Sequence, residues 1–438
     1  MSNDKWKISG SSTGMRILLL NQCFYPDVAS TAQHLADLAV ELAAGGHEVT
    51  VIASDRGYDN PAIRFPRREV WKGIKIIRIP TVALGKSSKL RRALNFATFL
   101  FICALRLLLL PRFDVVVALT SPPLISVLGS LFVSLKGGRL IFWVMDLNPD
   151  EAIAAGWLKQ DSFAANALSR LLAYSLRHAE RIVVLDRFMK QRIVAKGITE
   201  EKIVTIAPWS HSDAVRFDPV GREKFRLRNN LSGKFVVMYS GNHSPCHSLD
   251  TLLGAAGKLA AHDDIAFCFV GGGSEYEKVK AYAGGNKLRN ILCLPYQPLS
   301  ELASSLSAAD LHVVVMGDAF TGIVHPCKIY NILEIGSPIF YVGPTTSHVV
   351  DVTAKLDEQD LICSVRHGEI DKAVDYIVAG SQTATRRLSP SANKVAAAFS
   401  KVALLPRMVE LIDRSPNAAV WSSPSVSDSK AESFSSLS

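Results

Sequence analysis

The sequence predicts an α/β protein made of two doubly wound halves that face each other across a cleft. Three observations support this. Short apolar runs of strand length alternate with helix-length segments, a pattern typical of parallel sheets covered by helices on both faces. The alternation begins near Met15 and begins again after Trp209. Apolar runs in the second half end in glycines, and ligands of such sheets bind beyond the carboxyl ends of the strands.

The individual elements follow from apolar periodicity and from helix stop signals. In the first half we predict strands at Arg16–Asn21, Glu48–Ala53, Val115–Leu119, Leu140–Val144 and Arg181–Leu185, and helices at Ala32–Ala44 and Phe163–Ala179. In the second half we predict strands at Phe235–Tyr239, Ile265–Val270, Ile291–Leu294, Leu311–Val315 and Ile339–Val342, and helices at Asp250–Ala261 and Leu299–Ala308. A last helix is predicted over Val395–Leu405, ended or kinked by Pro406.

These elements divide the chain into five parts. They are a disordered leader (1–14), a first domain (15–205), a second domain (206–385), a C-terminal helix (386–413) and a serine-rich disordered tail (414–438). The first apolar run, Ile17–Leu20, has only the length of a strand, so the start of the chain does not read as a signal peptide.

The composition narrows the classes of partner. The formal net charge is +9, which fits phosphorylated substrates, anionic lipid or nucleic acid. No stripe of interleaved basic and aromatic residues is present, so we predict no nucleic-acid partner. The seven cysteines are scattered and contain no Cys-x-x-Cys pair, which indicates buried thiols in a reducing compartment.

A basic and apolar segment lies near residues 89–110. Its basic residues are Lys86, Lys89, Arg91 and Arg92. The run Phe96–Leu110 that follows is apolar apart from Thr98 and Arg106, and it is shorter than the ~20 apolar residues of a spanning helix. The segment is either a membrane-associating helix on an anionic leaflet or an ordinary core helix of the first domain.

Several segments carry a resemblance to a known family. They are MRILLLNQCFYPD (Met15–Asp27), GHEVTV (Gly46–Val51), YSGNHSPCHSL (Tyr239–Leu249), FVGGGSE (Phe269–Glu275), LPYQPLSELASSLSAAD (Leu294–Asp310) and GIVHPCKIYNILEIGSP (Gly322–Pro338). In this order, over about residues 15–385, the chain resembles the GT-B-fold glycosyltransferases of the large retaining family 4. Within that family it is most similar to the bacterial group that builds surface polysaccharides, the L-N-acetylfucosamine-transferase-like group.

The resemblance implies two Rossmann-like domains facing an interdomain cleft, and transfer of a sugar with retention. The donor, expected to be a UDP-sugar, would bind the second domain. The acceptor, a lipid-linked sugar or a glycan, would bind mainly the first domain. It also implies a cytoplasmic enzyme, peripheral on the cytoplasmic face of the inner membrane, that acts in cell-surface polysaccharide biosynthesis.

A loop after the first strand of the second half is the best candidate for binding phosphate. Between strand and helix, the backbone amides of Gly241, Asn242 and their neighbours can point at an anion. Family members usually place arginine and lysine here, whereas this chain has His243 and His247, and either of these can carry a proton near neutral pH beside a diphosphate. Alternatively, the turn caps the following helix. Gly272 lies in a second turn that either admits the nucleotide base or simply reverses the chain.

The segment Gly322–Pro338 corresponds to the pair of glutamates of the family. Their positions align with Ile323 and Asn331, so both acids are absent. Lys328 lies one helical turn before Asn331 on the same face, and the resemblance implies that it reaches the diphosphate. We expect Asn331 to bind a ribose hydroxyl. Glu334 is either a second acceptor of that kind or a solvated charge on a helix.

Acceptor-side candidates come from the first half. Asp146 follows the strand Leu140–Val144, where many family members have histidine, and it can orient or deprotonate the acceptor hydroxyl. Alternatively, it forms an Asx turn before the next helix. Asp27 and Thr31 follow the first strand and are candidates for the acceptor loop. The expected catalytic residues are therefore Asp146, Lys328 and His243.

The sequence also disfavours some classes of enzyme and cofactor. It contains no Asp-x-Asp pair, the signature of metal-dependent sugar transferases, so we expect neither metal nor cofactor. Gly-x-Gly-x-x-Gly does not follow the first strand, which disfavours an oxidoreductase. Two alternatives remain: a sugar-nucleotide 2-epimerase of the same fold, and a non-catalytic protein that binds nucleotide sugar.

Overall fold

The computed structural model describes residues 14–27, 29–57, 60–81, 89–210, 215–382 and 388–414, without the side chains of residues 89–93 and 360. The leader expected at 1–14 and the tail expected at 414–438 lie outside these residues, apart from Gly14 and Arg414.

The first domain is a doubly wound sheet of eight strands. The strands are β1 (Arg16–Leu20), β2 (Glu48–Ser54), β3 (Arg68–Trp71), β4 (Ile74–Ile79), β5 (Val115–Ala118), β6 (Arg139–Trp143), β7 (Arg181–Val184) and β8 (Ile203–Thr205). The helices are α1 (Ser30–Ala44), α2 (Lys89–Leu108), α3 (Ile125–Lys136), α4 (Asp150–Ala154), α5 (Phe163–His178) and α6 (Arg187–Ala195). The order β3-β4-β2-β1-β5-β6-β7-β8 reverses direction between β1 and β5. That reversal opens a crevice at the carboxyl ends of these two strands.

The second domain is a six-stranded sheet. The strands are β9 (Phe235–Asn242), β10 (Ile265–Gly272), β11 (Ile291–Leu294), β12 (Leu311–Val315), β13 (Ile339–Val342) and β14 (Ile362–Val365). The helices are α7 (Pro219–Arg228), α8 (Asp250–Lys258), α9 (Tyr276–Gly285), α10 (Leu302–Ser307), α11 (Lys328–Ile335), α12 (His348–Thr353) and α13 (Ile370–Ser381). All neighbours in the order β11-β10-β9-β12-β13-β14 are parallel, and the direction reverses between β9 and β12.

The two sheets confirm the predicted fold class. The central strands β1, β5 and β12 are buried almost throughout, as expected for parallel strands covered on both faces. Strands β11, β12 and β13 have the predicted bounds, because each is a run of apolar residues, interrupted only by His312 in β12. The edge pair β3–β4 of the first sheet is antiparallel and was not predicted.

The chain returns to the first domain at its C-terminal end, through α14 (Ala392–Ala397) and α15 (Lys401–Asp413). Helix α15 packs against α1, and Lys401 Nζ binds Asp37 at 2.7 Å. The predicted helix Val395–Leu405 is instead interrupted between α14 and α15. Pro406, which was predicted to end or kink it, does not end α15, because it lies inside that helix. Pro406 and Val402, one turn earlier, are both exposed, so the carbonyl that lacks its N–H partner can face water.

Helix α2 has two apolar faces. Phe99, Cys103 and Leu107 are buried against the sheet. Opposite them, Leu94, Phe101, Leu105 and Leu108 form an outward stripe with exposures of 45%, 65%, 49% and 59%. The adjacent helix α3 exposes Leu131 and Leu135. Within the described parts of the chain, no helix combines the length and apolarity needed to cross a bilayer.

Candidate active site

The clearest candidate site lies at the carboxyl ends of β9 and β12, where the second sheet reverses its order. Lys328, the first residue of α11, places its Nζ 3.4 Å from the centre of the Tyr239 ring. This nitrogen is buried, and no residue in the described ranges offers it a hydrogen-bond acceptor. Burial lowers the pKa of Lys328 to about 7. A buried ammonium without an acceptor is a preformed position for an anion.

Glycine makes room for this lysine. Gly241, the penultimate residue of β9, has φ of +131°, and a Cβ there would lie 3.4 Å from Lys328 Cε. At Gly271, with φ of +136°, a Cβ would lie 2.1 Å from the Gly241 carbonyl oxygen. At Gly273 it would lie 2.3 Å from the His243 carbonyl oxygen. The two glycine turns therefore form one backbone platform beside Lys328, and Gly271 and Gly273 need glycine more than the predicted Gly272 does.

The two histidines in the loop after β9, His243 and His247, are more buried and less basic than the sequence suggests. His243 is fully buried and its Nδ1–H donates to the Gly241 carbonyl at 2.9 Å, so its buried Nε2 carries a lone pair. Burial, reinforced by the charge of Lys328, lowers the pKa of His243 to about 4 and that of His247 to about 3. In the free protein both rings are therefore neutral near pH 7, because they are shielded from water and face a cation. Protonation of either ring beside a bound diphosphate stays a prediction.

The loop does not cap the following helix either. The N-cap position of α8 is Leu249, which makes no side-chain cap. Asn242 is exposed, and its backbone carbonyl accepts the Tyr239 hydroxyl at 2.9 Å. The loop therefore orients the tyrosine whose ring lies under Lys328. No local pattern in the sequence singles out Tyr239, which reads there as an ordinary strand aromatic.

Helix α11 presents one polar face. Asn331 and Glu334 follow Lys328 at helical spacing and are half-buried, while Ile329 and Ile332 are buried in the core. The Glu334 carboxylate accepts the Ser210 hydroxyl at 2.7 Å. Glu334 is therefore engaged with the segment that joins the two domains, and it is not a solvated charge.

The first domain contributes acids that face this site. Asp146 follows β6 and is half-buried, and burial together with the neighbouring Glu151 raises its pKa to about 8. Helix α4 has no side-chain cap, so Asp146 is not the capping residue of the alternative interpretation. Glu151 was not predicted. It accepts Asn148 Nδ2–H at 2.8 Å and the Cys246 thiol at 3.6 Å, the latter across the cleft.

The start of α1 also meets the second domain. Ser30 Oγ lies 3.6 Å from Cys327 Sγ, the neighbour of Lys328 in the chain. Thr31 is the next residue, and Asp27 lies in the loop after β1; both are half-buried. The structure thus brings the start of α1 to the lysine end of α11.

Residues 31–209 match the model of a family described as a glycosyl transferase 4-like domain. Over 247 residues the chain is 29% identical to the probable glycosyltransferase WbjE of Pseudomonas aeruginosa, covering 55% of this chain and 61% of that protein. It is 26% identical over 342 residues to WcaI of Escherichia coli (strain K12), a putative colanic acid biosynthesis glycosyl transferase, covering 74% and 82%.

The fold has solved counterparts. The structure of Anabaena Alr3699/HepE in complex with UDP-glucose superposes with a TM-score of 0.67 at 14% identity, covering 91% of this chain and 99% of that one. The architecture is therefore the GT-B fold, with two Rossmann-like domains. The chain spans 61% of the length of WbjE and 82% of WcaI, and the family match lies in the first domain and the start of the segment that follows it.

Proposed function

We propose that the protein is a glycosyltransferase that transfers a sugar from a UDP-sugar to a lipid-linked or polysaccharide acceptor, with retention, in cell-surface polysaccharide biosynthesis. The observation that carries the proposal is the buried Lys328 ammonium at the point where the second sheet reverses its order. The names of the two sequence relatives, both glycosyltransferases, and the UDP-glucose in the HepE complex support it.

On the donor side, the diphosphate of the nucleotide would replace the Tyr239 ring as the main partner of Lys328. The leaving group gains negative charge as the glycosidic bond breaks, and a cation already in place stabilises that charge without reorganisation. Backbone amides of the Gly241 loop would complete the anion site. Asn331, on the same face of α11, would bind the ribose. No metal would be needed, since the positive charge is supplied by the lysine.

On the acceptor side, Asp146 is the proposed partner of the attacking hydroxyl. A carboxyl group with a pKa of about 8 is a much stronger base, once ionised, than an ordinary aspartate. Its position opposite Lys328 would place the hydroxyl between the two domains. Thr31, at the start of α1, would contact the acceptor from the other side of the crevice.

The outward stripe of α2 (Leu94, Phe101, Leu105 and Leu108) is the proposed contact with an anionic bilayer on the cytoplasmic face of the inner membrane. An exposed apolar face on a chain of net charge +9 combines the two features of peripheral membrane binding. The basic side chains at Lys86, Lys89, Arg91 and Arg92 lie outside the described residues and side chains. Such a contact would bring the site to a lipid-linked acceptor.

A panel assay tests the function. The full chain is incubated with labelled nucleotide sugars, with and without a bacterial lipid extract. Acceptor-dependent appearance of label in lipid or glycan, with the anomeric configuration of the donor, is the expected result. A free epimerised sugar nucleotide made without acceptor would instead indicate the 2-epimerase, and binding without turnover would indicate the non-catalytic protein.

A further inference from the structure

A buried cluster of four side chains joins the two domains behind the candidate site. Asp186 comes from the first domain, whereas His325, Tyr330 and His348 come from the second. His325 Nδ1–H donates to Asp186 Oδ2 at 2.7 Å, and His325 Nε2 accepts the Tyr330 hydroxyl at 2.7 Å. The His348 ring stacks on His325 with 3.7 Å between centroids. We call these four residues the interdomain cluster.

The hydrogen-bond directions follow from the chemistry of Asp186. Its Oδ1 accepts the backbone N–H of Met189 and so caps α6, which leaves Oδ2 for His325. Burial raises the pKa of Asp186, but the hydrogen bonds from His325 and from the Met189 N–H help to outweigh it, and the pKa is lowered to about 2. Asp186 is therefore ionised and only accepts, so the His325 proton is on Nδ1. A carboxylate buried in this way depends on its partner.

The interdomain cluster lies next to the parts of the chain that carry Lys328 and Asp146. Tyr330 lies on α11, two residues after Lys328, and His325 lies three residues before it. The adjoining backbone is also held by the first domain. The Leu147 N–H donates to the Ile323 carbonyl at 2.9 Å, and Leu147 directly follows Asp146. One contact region thus connects the acceptor-side acid to the helix that carries the donor-side lysine.

We propose that Asp186 and His325 are positioning residues, which hold α11 so that Lys328 stays aligned with Asp146 during transfer. This inference rests on the proposed function. Neither side chain is placed to touch a substrate, since the side chains are 8% and 1% exposed. Their effect is exerted through the orientation of α11 and through the contact between the domains.

The same residues have the composition of a metal site, since Asp186, His325 and His348 offer three ligand atoms within 4.8 Å of one another. Their arrangement favours hydrogen bonding. The two imidazoles stack with only 21° between their planes, so the lone pairs of their ring nitrogens lie in two nearly parallel planes. Metal coordination requires lone pairs that converge on one point about 2.0–2.1 Å from each nitrogen.

Each of two substitutions of His325 keeps one of its two hydrogen bonds and removes the other. The amide nitrogen of His325→Asn takes the place of Nδ1 and keeps the link to Asp186, while the amide of His325→Gln takes the place of Nε2 and keeps the link to Tyr330. We expect His325→Gln to lower kcat about 10- to 100-fold, because small misplacements of reacting groups are this costly. Its KM for the nucleotide sugar and its affinity for UDP should stay within about twofold of wild type. His325→Asn should keep most of kcat.

The matched control is Arg187→Gln. Arg187 forms a bidentate ion pair with Asp351 across the same domain contact, but the pair is exposed and far less able to hold a helix in place. Its kcat should be unchanged. Full kcat in His325→Gln, or equal losses in the two His325 variants, would overturn the positioning role. One equivalent of a divalent metal that co-purifies with wild type and is lost in His325→Gln would also overturn it.

Amide hydrogen exchange separates failure of this inference from failure of the proposed function. If wild type transfers no sugar, the function fails, and the exchange of α11 decides the inference by itself. Faster exchange of α11 in His325→Gln than in Arg187→Gln would support the mechanical link. Identical exchange in the two variants would reject it.

Discussion

At the scale of single residues, the most informative group is the Lys328 ammonium, which is buried above the Tyr239 ring and beside Gly241. Keeping a cation in a low-dielectric position costs free energy in the empty protein, as the lowered pKa of about 7 indicates. An anionic ligand would recover that cost on binding. This is the arrangement expected of a group that stabilises a leaving diphosphate.

Replacing Lys328 should therefore impair transfer. We expect Lys328→Ala to raise the barrier by about 2–4 kcal/mol, the range found for other preorganised charge stabilisers, with a correctly folded protein. The measurement is kcat with the nucleotide sugar found in the panel assay. Lys278→Ala, at a lysine 71% exposed on α9, is the control. Turnover near wild type in Lys328→Ala would remove the lysine from the mechanism.

Donor affinity should depend on pH through Lys328. In the free protein this lysine is protonated below about pH 7, and a bound diphosphate favours the protonated form and raises its pKa. Affinity for UDP-glucose or the true donor should thus be full below pH 7 and fall by up to about tenfold per unit above it. A nucleotide sugar is the right probe, because its diphosphate does not titrate in this range. Isothermal calorimetry from pH 6 to pH 9 measures the effect.

The histidines should contribute little to that profile, since the pKa values of His243 and His247 are lowered to about 4 and 3. Lys328→Arg keeps the positive charge at all these pH values and should flatten the profile. A slope that persists in Lys328→Arg would assign the titration to another group.

At the scale of elements, α2 is unusual because it has an apolar face on both sides. An ordinary surface helix turns a polar stripe to solvent. Here the buried stripe explains how the helix packs on the sheet, but it does not explain Phe101 or Leu105, which are 65% and 49% exposed. Sequence periodicity detected the apolar run, whereas only the packed structure shows which residues remain exposed.

Changing the outward stripe should weaken membrane binding without unfolding the protein. For the double variant Phe101→Ser, Leu105→Ser we expect roughly tenfold or greater loss of binding to anionic vesicles. Burying one such side chain in an apolar environment contributes about 1.5–3 kcal/mol, and these are only partly buried in the free protein. Co-sedimentation with vesicles measures the loss. Val402→Ser, at a valine 78% exposed on α15, is the control.

Binding of wild type should also fall as salt rises and should be weaker on neutral vesicles, because the electrostatic part is screened over ~8–10 Å. Equal and negligible sedimentation with both kinds of vesicle would contradict the membrane proposal, and with it the main support for a lipid-linked acceptor.

At the scale of the whole molecule, an acid of the first domain, Asp146, lies close to Cys327, the residue before Lys328. Burial raises the pKa of that thiol, and the charge of Asp146 helps to raise it further. The domains touch through Leu147, Arg192, Asp186 and Glu151, which contact Ile323, Thr321, His325 and Cys246 respectively. If Lys328 meets the charge of the leaving group, as proposed, transfer needs no divalent cation.

Transfer should therefore survive a chelator. We expect activity in excess EDTA to remain within about twofold of the untreated enzyme, because the lysine supplies the stabilising charge that a metal supplies elsewhere. The assay is run in EDTA alone, and then with added magnesium or manganese. Loss of activity in EDTA with recovery on adding either metal would show that the missing Asp-x-Asp pair is replaced by other ligands.

Some features of this structure can be predicted from local sequence and others cannot. Strands such as Ile291–Leu294 and Ile339–Val342 were predicted with their observed bounds, because a continuous apolar run is a local signal. The late helix was misjudged at Pro406, because a proline is tolerated where the freed carbonyl reaches water, which depends on surface position. Glu151 and the interdomain cluster left no local signal, since their partners lie at distant places in the chain.

By itself, the sequence determined the two-sheet architecture and the ends of the strands around which a site would form, because both depend on apolar periodicity and on glycines within a few residues. It also identified Lys328 and Asp146 as candidate catalytic residues. Only the tertiary structure decided their charge states, together with those of His243 and His247. A pKa depends on burial and on neighbouring charges, and residues far apart in the chain supply both.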